Sequence, residues 1–273
     1  MNLILLLILF IITGIVTGII AGMLGIGGGT IFVPVLYTLL PLTFGNNNQL
    51  TYIVIGTSLF CIAVASFSSG TNHYLSKNVN LKLASLLAIG SIISSFLTVF
   101  FVIKVKPLYL QYIFVIIFLL IAVKMFFGKD NSNKNDSASK KTLNIYSSIL
   151  FGFVVGIFSA FTGLGGGVLF VPILIYLFGL KTKTAIGTSS LAIFATATAA
   201  AVSYGFPHVQ GDLPLYQFGY VNLLAGIPIG LGAVFGAYIG VKITLKTRSE
   251  KLRRYFSILL LIVIVKIAIG ILH

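Results

Sequence analysis

Acidic side chains are nearly missing from this sequence: 273 residues contain only Asp130, Asp136, Asp212 and Glu250. None of the four interrupts a long apolar run, so an intramembrane carboxylate relay has no residues to build it. Tryptophan is absent, and the one cysteine, Cys61, lies inside an apolar stretch. An internal disulfide is therefore excluded, and Cys61 reads as a small packing residue. Charged residues make up 8% of the chain, against roughly 25% in soluble proteins. Hydrophobic residues make up 58%, and the mean hydropathy is +1.11. So few polar side chains cannot cover a 29.3 kDa globule in water. The composition excludes an aqueous enzyme, a DNA-binding domain and a secreted disulfide scaffold. It points to an all-α, polytopic transmembrane helical bundle with the lipid bilayer as its solvent.

The formal net charge of +14 does not mark a nucleic-acid partner. The basic residues form no patch with interleaved aromatics; they sit at the ends of apolar runs, where Lys and Arg set membrane orientation. No positively charged region precedes the first apolar run, which continues past the length of a signal peptide and reads as a retained span. Uncharged runs bounded by polar residues give ten segments: 3–23, 30–44, 50–75, 83–103, 108–127, 144–162, 168–180, 184–204, 218–241 and 255–272. Most have the roughly 20 residues a crossing needs, but 30–44 and 168–180 are short, and either a full span or a re-entrant segment fits them. The stretch from Lys129 to Lys141, KDNSNKNDSASKK, reads as a flexible linker. The expected organisation is a first membrane repeat over 1–128, a polar cytoplasmic linker over 129–143 and a second membrane repeat over 144–273.

The two halves repeat one another. Residues 14–36 read GIVTGIIAGMLGIGGGTIFVPVL and residues 152–174 read GFVVGIFSAFTGLGGGVLFVPIL. Further on, Ile55-Gly56-Thr57-Ser58 returns as Ile186-Gly187-Thr188-Ser189, and Lys124 has a counterpart in Lys266. With five segments per half, an odd number, the second half enters the membrane upside down. The loop charges favour that arrangement with the N-terminus outside. Fourteen basic residues then fall inside, in loops 77–82, 129–141, 181–183 and 242–254, against Lys104 and Lys106 outside. Eight spans, with the short segments not changing side, would leave a weaker bias of ten against six. A multi-pass protein of the plasma membrane is expected, with its central linker cytoplasmic.

The glycine runs are the most informative local feature. Three consecutive glycines cost helix stability, about 1 kcal/mol each relative to Ala, and their amides need partners that lipid cannot offer. Gly25, Gly27, Gly28 and Gly29, and again Gly163, Gly165, Gly166 and Gly167, are expected to break a helix inside the membrane. Half-helices beginning near Thr30 and Val168, with Pro34 and Pro172 inside them, would turn free N–H groups and positive dipole ends toward the break. Two such ends related by a two-fold axis could enclose one anion. Gly14, Gly18, Gly22, Gly152 and Gly156, spaced four apart, read instead as close helix crossings. Thr57, Ser58, Thr188 and Ser189 stand between a pocket role and back-bonding to the helix carbonyls. His73, with Tyr204 as its approximate counterpart, is open to a proton-relay or a structural reading, while Lys124 and Lys266 fit snorkelling near helix ends.

No cluster of metal ligands and no nucleophile–base pair appears, so neither a metal, a cofactor nor a catalytic residue is expected. The doubled pattern Gly25-x-Gly27-Gly28-Gly29-x4-Pro34-x-Leu36 and Gly163-x-Gly165-Gly166-Gly167-x4-Pro172-x-Leu174 resembles the TauE/SafE sulfite-exporter family of membrane permeases. The resemblance runs over essentially the whole chain. It implies a small sulfur-containing anion, sulfite or an organosulfonate, as partner, with the motif glycines and hydroxyls as its contacts. The expected mechanism is alternating access around a midplane site in a secondary transporter that is not an enzyme. The residues leave four matters open: which anion is carried, the coupling ion, a homo-oligomeric state, and the direction of transport. An anion-selective channel would use the same donors, and an intramembrane enzyme or assembly subunit is the remaining rival. Because no arginine lies in a predicted span, binding would rely on neutral donors.

Overall fold

The computed structural model describes residues 3–41, 49–102, 144–207 and 216–272, with side chains in the last helix given through Leu259 and at Leu261. It is an all-α bundle. In the first half α1 (Leu3–Leu24) is followed by the short α2 (Gly29–Leu39), then by α3 (Leu50–Leu75) and α4 (Leu81–Val102). In the second half α5 (Ile145–Thr162) is followed by the short α6 (Gly167–Tyr176), then by α7 (Thr182–Gly205), α8 (Leu223–Lys246) and α9 (Ser249–Leu272). Six helices among the described residues, α1, α3, α4, α5, α7 and α8, are long and apolar enough to cross a membrane. The predicted segment 108–127, the linker, Lys104, Lys106, Lys124, His208, His273 and the Lys266 side chain fall outside what is described.

Several predicted boundaries shift: α2 ends at Leu39 rather than 44, α8 runs on to Lys246 rather than 241, and α9 begins at Ser249 rather than 255; two more shift for local reasons. The segment predicted over 168–180 is helical only to Tyr176, because the chain turns at Gly179 (φ 67°). There Phe178 and Leu180 return their N–H groups to the carbonyls of Ile173 and Leu174. The segment predicted over 218–241 begins five residues late. Residues 217–222 form a two-stranded antiparallel ladder, β1 (Gln217–Phe218) against β2 (Val221–Asn222). The Asn222 side chain then caps α8 by accepting from the Ala225 N–H at 2.9 Å. Helices α2 and α6, with 11 and 10 residues, are about 16 Å long and cannot by themselves cross a hydrocarbon core of about 30 Å.

The bundle is apolar outside and partly hydroxylated inside, as lipid as solvent demands. Ile4, Leu5, Phe101 and Phe235 are exposed, whereas Ser58, Ser69, Ser95, Thr188, Ser190 and Thr196 are buried. Each buried hydroxyl of that group finds an acceptor or a donor; Thr196, for example, bonds Ser91 at 2.6 Å. Glycines set the closest seams. Gly14, Gly18 and Gly22 of α1 lie on the backbone of Ile229, Ala233 and Ala237 of α8, and Gly232, Gly236 and Gly240 return the contact onto Ile11, Ile15 and Ile19. The same seam joins α5 to α4, where Gly152 meets Leu87, Gly156 meets Ser91 and Gly90 meets Ile149. Thus the first helix of each half packs on the fourth helix of the other.

Helices α3 and α7 cross the centre antiparallel. Gly187 near the start of α7 lies on His73 near the end of α3, Gly56 near the start of α3 lies on Tyr204 near the end of α7, and Ser69 bonds Ser190 at 2.9 Å between them. The Asn80 N–H bonds Thr188 Oγ1, and Lys183 Nζ donates to the Leu245 carbonyl. These contacts gather the turns carrying Lys77, Lys82, Lys181, Lys183 and Lys246 at one end of the bundle.

Candidate anion site at the paired glycine breaks

Each break is built from backbone that only glycine adopts readily. Gly25, Gly27 and Gly28 have φ of 66°, 75° and 83°, and Gly163, Gly165 and Gly166 have φ of 69°, 71° and 78°. A side chain at such angles costs about 1–2 kcal/mol. Gly28 and Gly166 precede α2 and α6 in the left-handed conformation, with no side-chain cap. The N–H groups of Ile31 and Phe32 both donate to the Gly28 carbonyl, and those of Leu169 and Phe170 to the Gly166 carbonyl, all at 3.0 Å. The first two amides of each helix, Gly29 and Thr30 in α2 and Gly167 and Val168 in α6, are left without a helical partner.

The two breaks meet. Gly29 lies against the Leu164 backbone and Gly167 against the Ile26 backbone, while Gly27 and Gly165 both face Ile62 and Ile193. Ile62 stands halfway along α3 and Ile193 halfway along α7, so the meeting point is at mid-depth. The chain reaches it by turning back. Gly22 lies beside His73 at one end of α3, Gly27 is already at the level of Ile62, and Tyr37 of α2 bonds Thr51 at the other end. Two helix N-termini, each carrying about half a positive charge, therefore begin within contact of one another in a region without a charged side chain among those that line it. Residues 25–30 and 163–168 are buried throughout.

The hydroxyls predicted as site residues hold these loops crosswise. Ser58 Oγ donates to the Gly163 carbonyl at 2.8 Å and Ser189 Oγ to the Gly25 carbonyl at 2.9 Å, so each half's serine anchors the other half's break. Thr57 Oγ1 accepts from the Asn222 N–H and Thr188 Oγ1 from the Asn80 N–H, both at 2.9 Å. Those two threonines therefore cap the starts of α8 and α4, toward opposite ends of the bundle. His73 Nε2 lies 3.3 Å from the Gly22 carbonyl, and Tyr204 donates its hydroxyl to the corresponding carbonyl, Ala160, at 2.8 Å. Pro34 and Pro172 sit in the second turns of α2 and α6, away from the meeting point.

Three hydroxyl oxygens near the breaks are buried and have no partner: Thr30 Oγ1, Ser66 Oγ and Ser159 Oγ. Thr30 was visible as the first residue after the glycines. Ser66 is not part of the repeated pattern, because its position there is taken by Ala197, and its only sequence signal is a hydroxyl one turn beyond the middle of a span. Among the described residues no three His, Cys, Asp or Glu side chains come together. A separate cavity of about 550 Å³ lies between α3, α7 and the start of α8, lined by Phe60, Phe67, Phe194, Val202, Phe218 and Leu223. Its walls expose no polar surface.

The family model for the sulfite exporter TauE/SafE matches residues 10–267. A probable membrane transporter protein of Methanocaldococcus jannaschii is 31% identical over 87% of this chain and 86% of its own length. One of Haemophilus influenzae is 28% identical over 88% of this chain and 90% of its own, and one of Bacillus subtilis is 27% identical over 79% and 82%. No solved structure matches. The chain belongs to the sulfite exporter TauE/SafE family, and is a multi-pass membrane protein of a transporter family rather than of an enzyme family.

Proposed function

We propose that this protein is a secondary transporter of small sulfur-containing anions of the sulfite or organosulfonate type, working by alternating access around the paired breaks. The observation that carries the reading is the convergence of the α2 and α6 N-termini at mid-depth, where Gly29 meets Leu164 and Gly167 meets Ile26. Two positive helix ends in contact repel one another, and an anion between them turns that repulsion into binding. With only amides and hydroxyls as donors the affinity is modest, which suits a carrier that must release its cargo.

An inverted repeat explains the exchange of partners. Helices α3 and α7, equivalent in sequence, run antiparallel, and α1 packs on α8 as α5 packs on α4. A two-fold axis in the membrane plane relates such a set, and rocking one repeat against the other exposes the site to each side in turn. The basic end of the bundle then faces the cytoplasm of the plasma membrane. The burial of both glycine runs supports a carrier over a channel, since a conducting pore would keep its donors in contact with water.

The test is potential-clamped flux of labelled sulfite into proteoliposomes, with sulfate and methanesulfonate as competitors. Gly29→Ala and Gly167→Ala keep helical backbone angles but push a methyl group into the facing loop. Saturable flux with counterflow stimulation, lost in both folded variants, is the expected result. Flux that does not saturate would favour the channel, and no flux of any sulfur anion would remove the substrate assignment.

A further inference from the structure

The two breaks match in backbone but not in side chains, and the mismatch bears on what the site selects. Thr30, at the second position of α2, is 8% exposed, and Ser66, one turn beyond Ile62 on α3, is 1% exposed. Neither hydroxyl has a hydrogen-bond partner. Ser66 Oγ faces the first break directly, 3.1 Å from where a Cβ on Gly27 would stand. A hydroxyl buried without a partner is costly to a fold. Two of them beside two amides that lack helical partners form a set of donors waiting for an acceptor. In the second half the corresponding positions are Val168 and Ala197, both fully buried and unable to donate through a side chain. Ser159, the third hydroxyl without a partner, lies on α5 a turn before Gly163, and it is not among the atoms nearest to a Cβ at Gly165, Gly166 or Gly167, as Ser66 is at Gly27.

We infer that the transported anion is held unequally: its oxygens are bound by the Gly29 and Thr30 amides, Thr30 Oγ1 and Ser66 Oγ of the first half, and its remaining face turns to the second half, where Val168 and Ala197 offer no side-chain donor. This rests on the reading of the breaks as the anion site and sharpens its substrate class. A sulfonate carries three oxygens on one side of sulfur and a carbon substituent on the other. Sulfite carries three oxygens and a lone pair. Either can present oxygens to the first break and its fourth face to the apolar wall. Sulfate is disfavoured, because any orientation turns an oxygen toward the second half, where Val168 and Ala197 stand in place of the two hydroxyls and its hydration is replaced only in part. The second break still contributes its dipole and the amides of Gly167 and Val168. Discrimination against tetrahedral oxyanions is thus a property of the side chains that differ between the halves.

The experiment compares variants in the proteoliposome flux assay, reading KM for sulfite and the inhibition constants of methanesulfonate and sulfate. Thr30→Val and Ser66→Ala are each expected to raise the sulfite KM roughly tenfold with little change in maximal rate. Neither should lower the melting temperature, because neither hydroxyl has a partner in the protein to lose. Ser159→Ala should leave KM unchanged. The pair Val168→Thr with Ala197→Ser should strengthen inhibition by sulfate relative to methanesulfonate. Unchanged KM in Thr30→Val and Ser66→Ala, with flux still abolished by Gly29→Ala, would overturn the unequal hold while leaving the central site in place. If the wild type carries no sulfur anion, calorimetric titration of the purified protein with sulfite, methanesulfonate, sulfate and chloride decides. Binding of chloride alone, weakened by Ser66→Ala, would keep the hydroxyl pair but overturn selection by the apolar wall. Binding of none of the four would overturn the inference together with the proposed function.

Discussion

Replacing Ser58 by Ala removes one oxygen from the first half of the chain and should loosen a loop in the second. Ser58 is fully buried, and its hydroxyl is shared between the Gly163 carbonyl at 2.8 Å and the Ile55 carbonyl at 2.9 Å. The Ile55 carbonyl lies within α3 and keeps its helical partner. Gly163 sits at the end of α5 at φ 69°, where the helix no longer supplies a donor to its carbonyl. Leaving that group buried without a donor costs about 1–3 kcal/mol. Each 1.4 kcal/mol is about a factor of ten in an opening equilibrium, so the second break should open roughly 5–150 times more often. Hydrogen exchange in detergent or nanodiscs reads this at the Gly163, Leu169 and Phe170 amides, whose acceptors are the Ser159 and Gly166 carbonyls. Ser189→Ala should produce the mirror result at Ile31 and Phe32, through the Gly25 carbonyl. Faster exchange confined to the half that carries the substitution, or no change in either, would refute the crosswise anchoring.

Two further outcomes follow from the same geometry. Thr57→Val and Thr188→Val delete the acceptors of the Asn222 and Asn80 N–H groups, and each should cost about 1 kcal/mol, seen as a lower melting temperature with an unchanged transport KM. A raised KM without loss of stability would instead return these threonines to the substrate. With Cys61 replaced by Ala, a membrane-impermeant maleimide should label Tyr216→Cys on intact cells, and Lys82→Cys only after permeabilisation, since the two positions are exposed at opposite ends of the bundle. The reverse pattern would invert the proposed orientation.

Most of the architecture could be read from the chain because the bilayer imposes few choices. Lysines bound most apolar runs, so many helix limits fall within a few residues of expectation, while α8 and α9 extend into the basic stretch 242–254 that was expected to separate them. Phe218, Tyr220 and Val221 read as the start of a span, yet Gly219 and the Asn222 cap turn them into a hairpin. Contiguous glycines announced the breaks, and glycines spaced by four announced the close seams. What remained hidden was pairing across the halves. A repeat shows that Ser58 and Ser189 are equivalent, but not that each reaches the other's loop. Repetition does not mark Ser66 either, because its counterpart in the second half is Ala197.

In the proposed alternating-access cycle, that cross-pairing bears on how a site made of loops would stay ordered while it moves. If each break were anchored within its own half, rocking one repeat would carry its loop away intact and leave the anion with half its donors. Here the first break is tied to α7 through Ser189 and the second to α3 through Ser58, while Ser69 and Ser190 join α3 to α7. A displacement of α3 would therefore pull on the second loop, and one of α7 on the first, so in that cycle the two helix ends would keep their mutual distance as the surrounding helices tilt. Under the proposed cycle the anion sees a nearly constant set of donors, and what changes is which side admits water. Weakening one tether should then slow the return of the empty carrier less than that of the loaded one, whose anion needs both ends in register. Exchange and net flux, measured side by side in Ser58→Ala, would separate those steps; equal losses in both would argue that the tethers serve stability alone.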